Sequence, residues 1–267
     1  MKTSFKHIVL LCALVLPTPF VAQEQEIEIV ETTNALKQDF APRIGFDIGG
    51  DLYHGLSLKW EEEARFKDIS TTFDRLYSTL SLTYKFNTYF KTTIGYSFHL
   101  IHHDGKKSTN YEKYWVMRHR VYLDLTGSYH YNQWQFSLRE RPMMTYRMDN
   151  PDPNEKANPD WHLRSKFTAE YTCMSKPLKP YISVELSNTL NAPKLAGNYI
   201  DAVRSAIGLK WRIDQHNAFN FYYRADCNWT RDIDVKYAAN NIDIERIKLT
   251  HKTSLTHILS VTYCFDW

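Results

Sequence analysis

From Arg43 to the last residue, apolar and polar side chains alternate at every second position, through one stretch of roughly 9 to 14 residues after another. A helix cannot use that pattern, because its faces repeat every 3.6 residues. Sustained period 2 predicts strands with two unlike faces, joined in sequence by turns. Eleven stretches carry it. Ile44, Phe46 and Ile48 alternate with Gly45, Asp47 and Gly49, and Leu56, Leu58 and Trp60 with Ser57, Lys59, Glu61, Glu63 and Arg65. The pattern recurs over 73–86, 89–100, 115–131, 134–146, 163–173, 182–187, 204–213 and 219–229, and closes with Leu259, Val261, Tyr263, Phe265 and Trp267. Outside the N-terminus no helical period, second domain or low-complexity linker is visible.

Two all-β architectures compete for such a chain. A soluble sandwich points the apolar face inward; an outer-membrane barrel points it outward. Four features favour the barrel. First, short turns near His54-Gly55, Asn87-Thr88, Asn132-Gln133, Ser175-Lys176-Pro177 and Asp214 to His216 alternate with longer polar segments near 67–71, 101–114, 147–160, 191–199 and 230–254. Short turns at one rim and longer loops at the other are expected of membrane barrels. Second, aromatic residues make up 15% of the chain and gather at the ends of the apolar faces. Tyr84, Phe90, Tyr129, Tyr131, Trp134 and Trp211 flank the short turns, and Trp60, Trp115, Tyr146 and Trp229 lie toward the longer loops, as two interfacial belts would require. Third, the final strand ends on Trp267, which resembles the signal read by the machinery that assembles outer-membrane barrels.

Fourth, the N-terminus reads as an export signal. Lys2, Lys6 and His7 precede the apolar run Ile8 to Leu16, Pro17 and Pro19 break it, and Val21-Ala22-Gln23 offers small residues for cleavage. The expected division is a signal peptide over 1–23 and a barrel over 24–267. The mean hydropathy of −0.49 excludes a bundle of apolar membrane helices but cannot register alternating strands. The 33 basic residues lose Lys2 and Lys6 on cleavage while 30 acidic residues remain. The mature balance of +1 gives no reason to expect nucleic acid as a partner. Cys173, Cys227 and Cys264 are an odd number at wide spacing, so neither a disulfide framework nor a metal site is expected.

The last strand should descend from an external loop. Counting back, the strand beginning at Arg43 must also descend, so something must carry the chain up to it. The weakly alternating stretch Glu26 to Glu31 is the candidate for an upward first strand, which gives twelve strands, an even number, with ten as the fallback. The alternative is an N-terminal segment threaded through the lumen.

The inward faces carry the unusual chemistry. The lumen-lining candidates are Glu61, Glu63, Arg65, Arg75, Arg118, Arg120, Arg139, Arg141, Arg164, Glu170, Arg204 and Arg224. Lys59, Lys85, Lys91, Lys166, Lys210, Arg212, Asp47, Asp124, Glu185 and Asp226 share those faces. The lining is therefore about two-to-one basic although the chain is nearly neutral. A ring of Arg and Lys attracts anionic solutes; an Arg/Glu ladder that satisfies itself fills a small barrel and stops bulk flow. Phe73, Tyr77, Tyr122 and Tyr222 are expected to point inward and narrow the space.

Catalytic and metal patterns are sparse. His99, His102 and His103 fall near one external rim, and Ser254 lies near His251 and His257, but no spacing fixes a triad. His102-His103-Asp104 reads as a solvated loop. Prolines interrupt the possible calcium ligands Asp149, Asp152, Asn154 and Glu155. No phosphate-binding glycine loop occurs, and no cofactor is expected.

The runs Trp60-Glu61-Glu62-Glu63-Ala64-Arg65-Phe66, Phe73-Asp74-Arg75-Leu76-Tyr77 and Leu82-Thr83-Tyr84-Lys85-Phe86-Asn87 resemble a family of bacterial outer-membrane barrels, domain of unknown function 2490. Arg118-His119-Arg120 and Ser137-Leu138-Arg139-Glu140-Arg141 fit the same family. The resemblance implies a barrel in the outer membrane of a diderm bacterium, surrounded by lipid, and no established activity. The expectation is a non-enzymatic barrel, either a narrow or gated pore or a plugged structural barrel. A lipid-modifying enzyme and a surface-binding protein acting through its external loops are the alternatives.

Overall fold

The computed structural model describes residues 28–67, 72–103, 114–149, 152–174, 176–237 and 244–267. The expected signal segment, Asp104, Ser175 and most of the expected loops 67–71 and 101–114 lie outside the described residues. The described residues form thirteen strands and no helix: β1 (Glu28–Thr33), β2 (Lys37–Phe40), β3 (Arg43–Tyr53), β4 (Leu56–Lys67), β5 (Thr72–Lys85), β6 (Phe90–His103), β7 (Tyr114–Tyr131), β8 (Trp134–Arg147), β9 (Asp160–Tyr171), β10 (Leu178–Thr189), β11 (Tyr199–Arg212), β12 (Asn217–Tyr237) and β13 (Ile244–Asp266). From β3 to β13 each strand pairs antiparallel with the next, and β13 returns to pair with β3, closing the sheet into an up-and-down barrel.

The closure differs from the sequence expectation. Arg43 does begin a strand that runs in the same sense as β13, but the residues before it do not supply an upward partner. β1, β2 and β3 all lie parallel to β13 and follow it in register, Glu28 opposite Arg246, Lys37 opposite Ser254 and Arg43 opposite Ser260. Backbone bonds from Asn34 N to His251 O (2.9 Å) and from Ala41 N to His257 O (2.8 Å) bridge the interruptions. The barrel wall therefore has eleven strands with a parallel seam, and β1 and β2 extend that seam above it. Parallel pairing satisfies the edge groups of β13 as well as an added strand would, so an even count is not needed for closure.

Short turns follow local chemistry. Asn132 takes a left-handed conformation (φ 53°) between β7 and β8, as Gly55 does (φ 75°) between β3 and β4. Asn87 Oδ1 accepts from the Tyr89 and Phe90 amides at 2.8 Å, and Asp214 Oδ1 from the His216 and Asn217 amides at 2.8 and 2.7 Å. At the other rim the expected loop 230–254 is mostly strand. β12 and β13 run 21 and 23 residues, far beyond their neighbours. Their upper halves stand above the wall as a blade, on which Ile233, Ile247 and Leu249 pack with Ala196 from the β10–β11 loop.

Burial is inverted relative to a soluble domain. Ile44, Leu80, Ile94, Leu123, Leu138, Ile182, Ile207 and Leu259 are exposed on the outer surface, while Ser97, His99, Asp124, Glu170, Ser187, Asp226 and Ser260 are buried inside. Phe73 is a correction. A bulge opposes Arg65 to Arg75 but Phe66 to Phe73, leaving Asp74 unopposed and turning Phe73 to the outer face. There it meets Phe66 and Trp115, with ring centroids 5.7 and 5.9 Å apart.

Candidate functional site in the barrel interior

Eleven strands spaced about 4.8 Å apart and tilted about 40° enclose a lumen roughly 22 Å wide between backbones. Side chains fill much of it. The inward residues that alternation predicts pair largely with one another. Toward the short-turn rim, Lys59 lies 2.8 Å from Asp47 and 2.6 Å from Glu61, and Lys210 and Lys179 lie 2.5 and 3.8 Å from Glu170. Arg141 grips Asp124 through two bonds of 2.5 and 2.6 Å. Glu185 is shared by Arg139 (2.6 Å) and Arg204 (2.9 Å), and Arg224 meets Asp226 at 2.7 Å. Arg65 bonds Glu63, Arg75 bonds its neighbour Asp74, and Arg43 approaches Glu63 at 3.6 Å. Such pairs hold together because a water-poor interior strengthens each attraction, and loss of one partner strands the other.

Aromatic rings order the same side chains. The Arg65 and Arg141 guanidiniums each lie 3.9 Å from a ring centroid, of Tyr77 and Tyr122 respectively. Tyr122 has room because Gly95 faces it across the strand pair: a Cβ on Gly95 would sit 2.2 Å from the Tyr122 ring. Gly208 makes the same space for Tyr181, at 2.3 Å. Tyr77 stacks on His99 with centroids 3.7 Å apart, and His99 Nε2 is 3.0 Å from Ser97 Oγ.

Arg118, Arg120 and Arg164 stand apart from this pairing. Among the described residues no carboxylate forms an ion pair with any of them. Arg120 Nε donates to the neutral Thr145 hydroxyl at 3.1 Å. The Nε atoms of Arg118 and Arg164 are buried without a hydrogen-bond partner. Lys85, Lys91 and Arg212 are exposed at the short-turn rim.

The interior is divided into cavities. A central one of about 330 Å³ is walled by residues from opposite sides of the barrel, including Glu61, Arg65, His99, Arg120, Arg164 and Tyr222. A vestibule of about 520 Å³ lies above it, under Glu155, Lys156 and Pro193, and Arg120 and Arg164 also line this space. Two more, of about 490 and 470 Å³, lie toward the short turns. The vestibule wall holds a second network, beyond the lining residues expected from sequence. Asp160 contacts Arg147 (3.1 Å) and His162 (3.0 Å), and His162 contacts Asp201 (3.3 Å). A bulge at Asp201, where Ser187 and Asn188 oppose Ala202 and Ile200, places that carboxylate inside. The segment leading into β9 is tied to the blade: Tyr237 Oη bonds Asp152, and the Val235 amide donates to Glu155 at 3.2 Å. The Tyr237 bond holds the Asp152 carboxyl below its ordinary range. Their oxygens are thus engaged in fixing this segment rather than gathered around a cation site.

The catalytic combinations weighed from sequence are not assembled. His99 points into the lumen, whereas His102 lies outside against Trp115, with tilted rings whose centroids are 5.0 Å apart. Ser254 lines the vestibule, whereas His257 faces outward and contacts Tyr223 Oη at 2.6 Å.

The family model described as protein of unknown function (DUF2490) matches residues 45–236, from β3 through nearly all of β12. No curated protein matches the sequence.

Proposed function

We propose that this chain, which belongs to the DUF2490 family of proteins of unknown function, is a bacterial outer-membrane barrel whose ion-paired lumen closes it to bulk flow. The observation that carries this reading is the inverted burial: a closed barrel with an apolar exterior and a charged interior is stable where its surroundings are hydrocarbon. The export-type N-terminus, the aromatic residues near both rims and the blade and loops at one end support the same placement. Outer-membrane lipid, and the assembly machinery acting through β13, are the partners it implies. The filled lumen favours a narrow or plugged barrel over an open pore, since ion-paired side chains from the surrounding strands occupy much of its cross-section.

Cell fractionation combined with planar-bilayer recording tests this. The full chain is expected in the outer membrane, to migrate faster unboiled than boiled on denaturing gels, and to conduct weakly at most, with anion preference. Recovery in the soluble fraction would overturn the placement; large unselective conductance would overturn the closed lumen.

A further inference from the structure

We propose that Arg120 and Arg164 form a binding site for a phosphate group, inorganic or carried by a small phosphomonoester, where the central cavity meets the vestibule. The inference deepens the reading of the lumen but rests on its side chains rather than on membrane placement.

Positive charge at this point of the lumen is not fully matched by carboxylates. The neighbouring arginines each have a carboxylate in close contact: Arg141 has Asp124, Arg204 and Arg139 have Glu185, and Arg65 has Glu63. Glu185 is close enough to attract Arg164, but both its oxygens are already engaged at 2.6 and 2.9 Å. Arg120 finds only the Thr145 hydroxyl, and Arg164 Nε is buried with no partner at all. Both guanidiniums lie deep in the barrel and feel one another's charge. With the single charge of Glu185 shared among Arg139, Arg204 and Arg164, and no carboxylate on Arg120 among the described residues, positive charge exceeds negative here, and like charges repel more strongly away from bulk water. Folding alone gives no reason to keep that excess.

Both side chains also reach the two cavities, whose volumes of about 330 and 520 Å³ admit a small solute. An anion entering from the vestibule would meet both planar donor sets. Guanidinium binds phosphate through paired parallel hydrogen bonds, and a dianion matches two cations where chloride offers a single charge and no such geometry. Tyr77 also lies on the central cavity wall.

The test uses the purified full-length chain in detergent. Inorganic phosphate and glycerol phosphate are titrated by calorimetry and by thermal unfolding, against chloride at equal ionic strength. The expected result is saturable phosphate binding and a raised unfolding midpoint that chloride does not reproduce. Arg120→Gln and Arg164→Gln should each weaken binding at least tenfold, with Arg164→Lys intermediate and Lys85→Gln, at the far rim, unchanged. Tighter binding of glycerol phosphate than of phosphate would identify a phosphorylated solute; the reverse order would identify the free ion. No phosphate effect on the wild-type chain would overturn the proposal even if a variant fails to fold, as would undiminished binding by well-folded variants. Neither result bears on where the barrel resides, which fractionation decides separately.

Discussion

At the scale of single residues, alternation assigns side chains to a face because inward and outward positions differ in chemistry at almost every step. It failed where the phase slips. The bulge beside Arg65 turned Phe73 outward, and the bulge at Asp201 turned a carboxylate inward; neither is marked by a glycine or proline that a reader of the sequence could use. The outer face holds another residue that pattern reading passed over. Register places Glu140 between Leu125 and Ser165, on the surface that carries Leu138 and Phe167, and Ser165 donates to its carboxylate at 2.6 Å. A carboxylate among lipid-facing side chains is unfavourable. Glu140→Leu is therefore expected to stabilise the barrel in lipid vesicles by about 1 kcal/mol, read as a higher denaturant midpoint. A lowered midpoint would indicate that this face is not in lipid.

At the scale of elements, all eleven wall strands were legible, because each carries its own apolar stripe. The seam was not. β1 and β2 are short, and their side chains alternate only weakly, so nothing in their composition says whether they run parallel or antiparallel to β13. Pairing partners sit more than 210 residues apart in the chain, and only the closed sheet decides between them. The parallel seam has a topological consequence. Glu28 stands beside Arg246 at the rim of the longer loops, held by an ion pair of 2.8 Å, whereas Trp267 lies at the opposite rim and donates its amide to Gly49 O at 3.0 Å. An epitope inserted immediately before Glu28 should bind antibody on intact cells, and one placed after Trp267 only on permeabilised cells. Labelling of both, or of neither, on intact cells would contradict the parallel closure in an outer membrane.

At the scale of the whole molecule, the chain is close to neutral, with 33 basic and 30 acidic residues, yet its charges are sorted, with a basic interior and an apolar wall. Averages such as mean hydropathy conceal that sorting, whereas the period-2 pattern preserves it, which is why architecture could be read from sequence more readily than activity. What the sequence could not disclose is which arginines find partners, since pairs such as Arg139 with Glu185 join residues 46 positions apart. The central claim is that the apolar face of this wall meets hydrocarbon while the charged face lines a confined, ion-paired lumen. Nitroxide labels placed one at a time from Met117 to Leu125 on β7, in vesicle-reconstituted protein, test it most directly. The account predicts that oxygen accessibility rises and falls with period 2, high at Met117, Val121, Leu123 and Leu125 and low at Arg118, Arg120, Tyr122 and Asp124. Uniform accessibility, or alternation in the opposite phase, would contradict it.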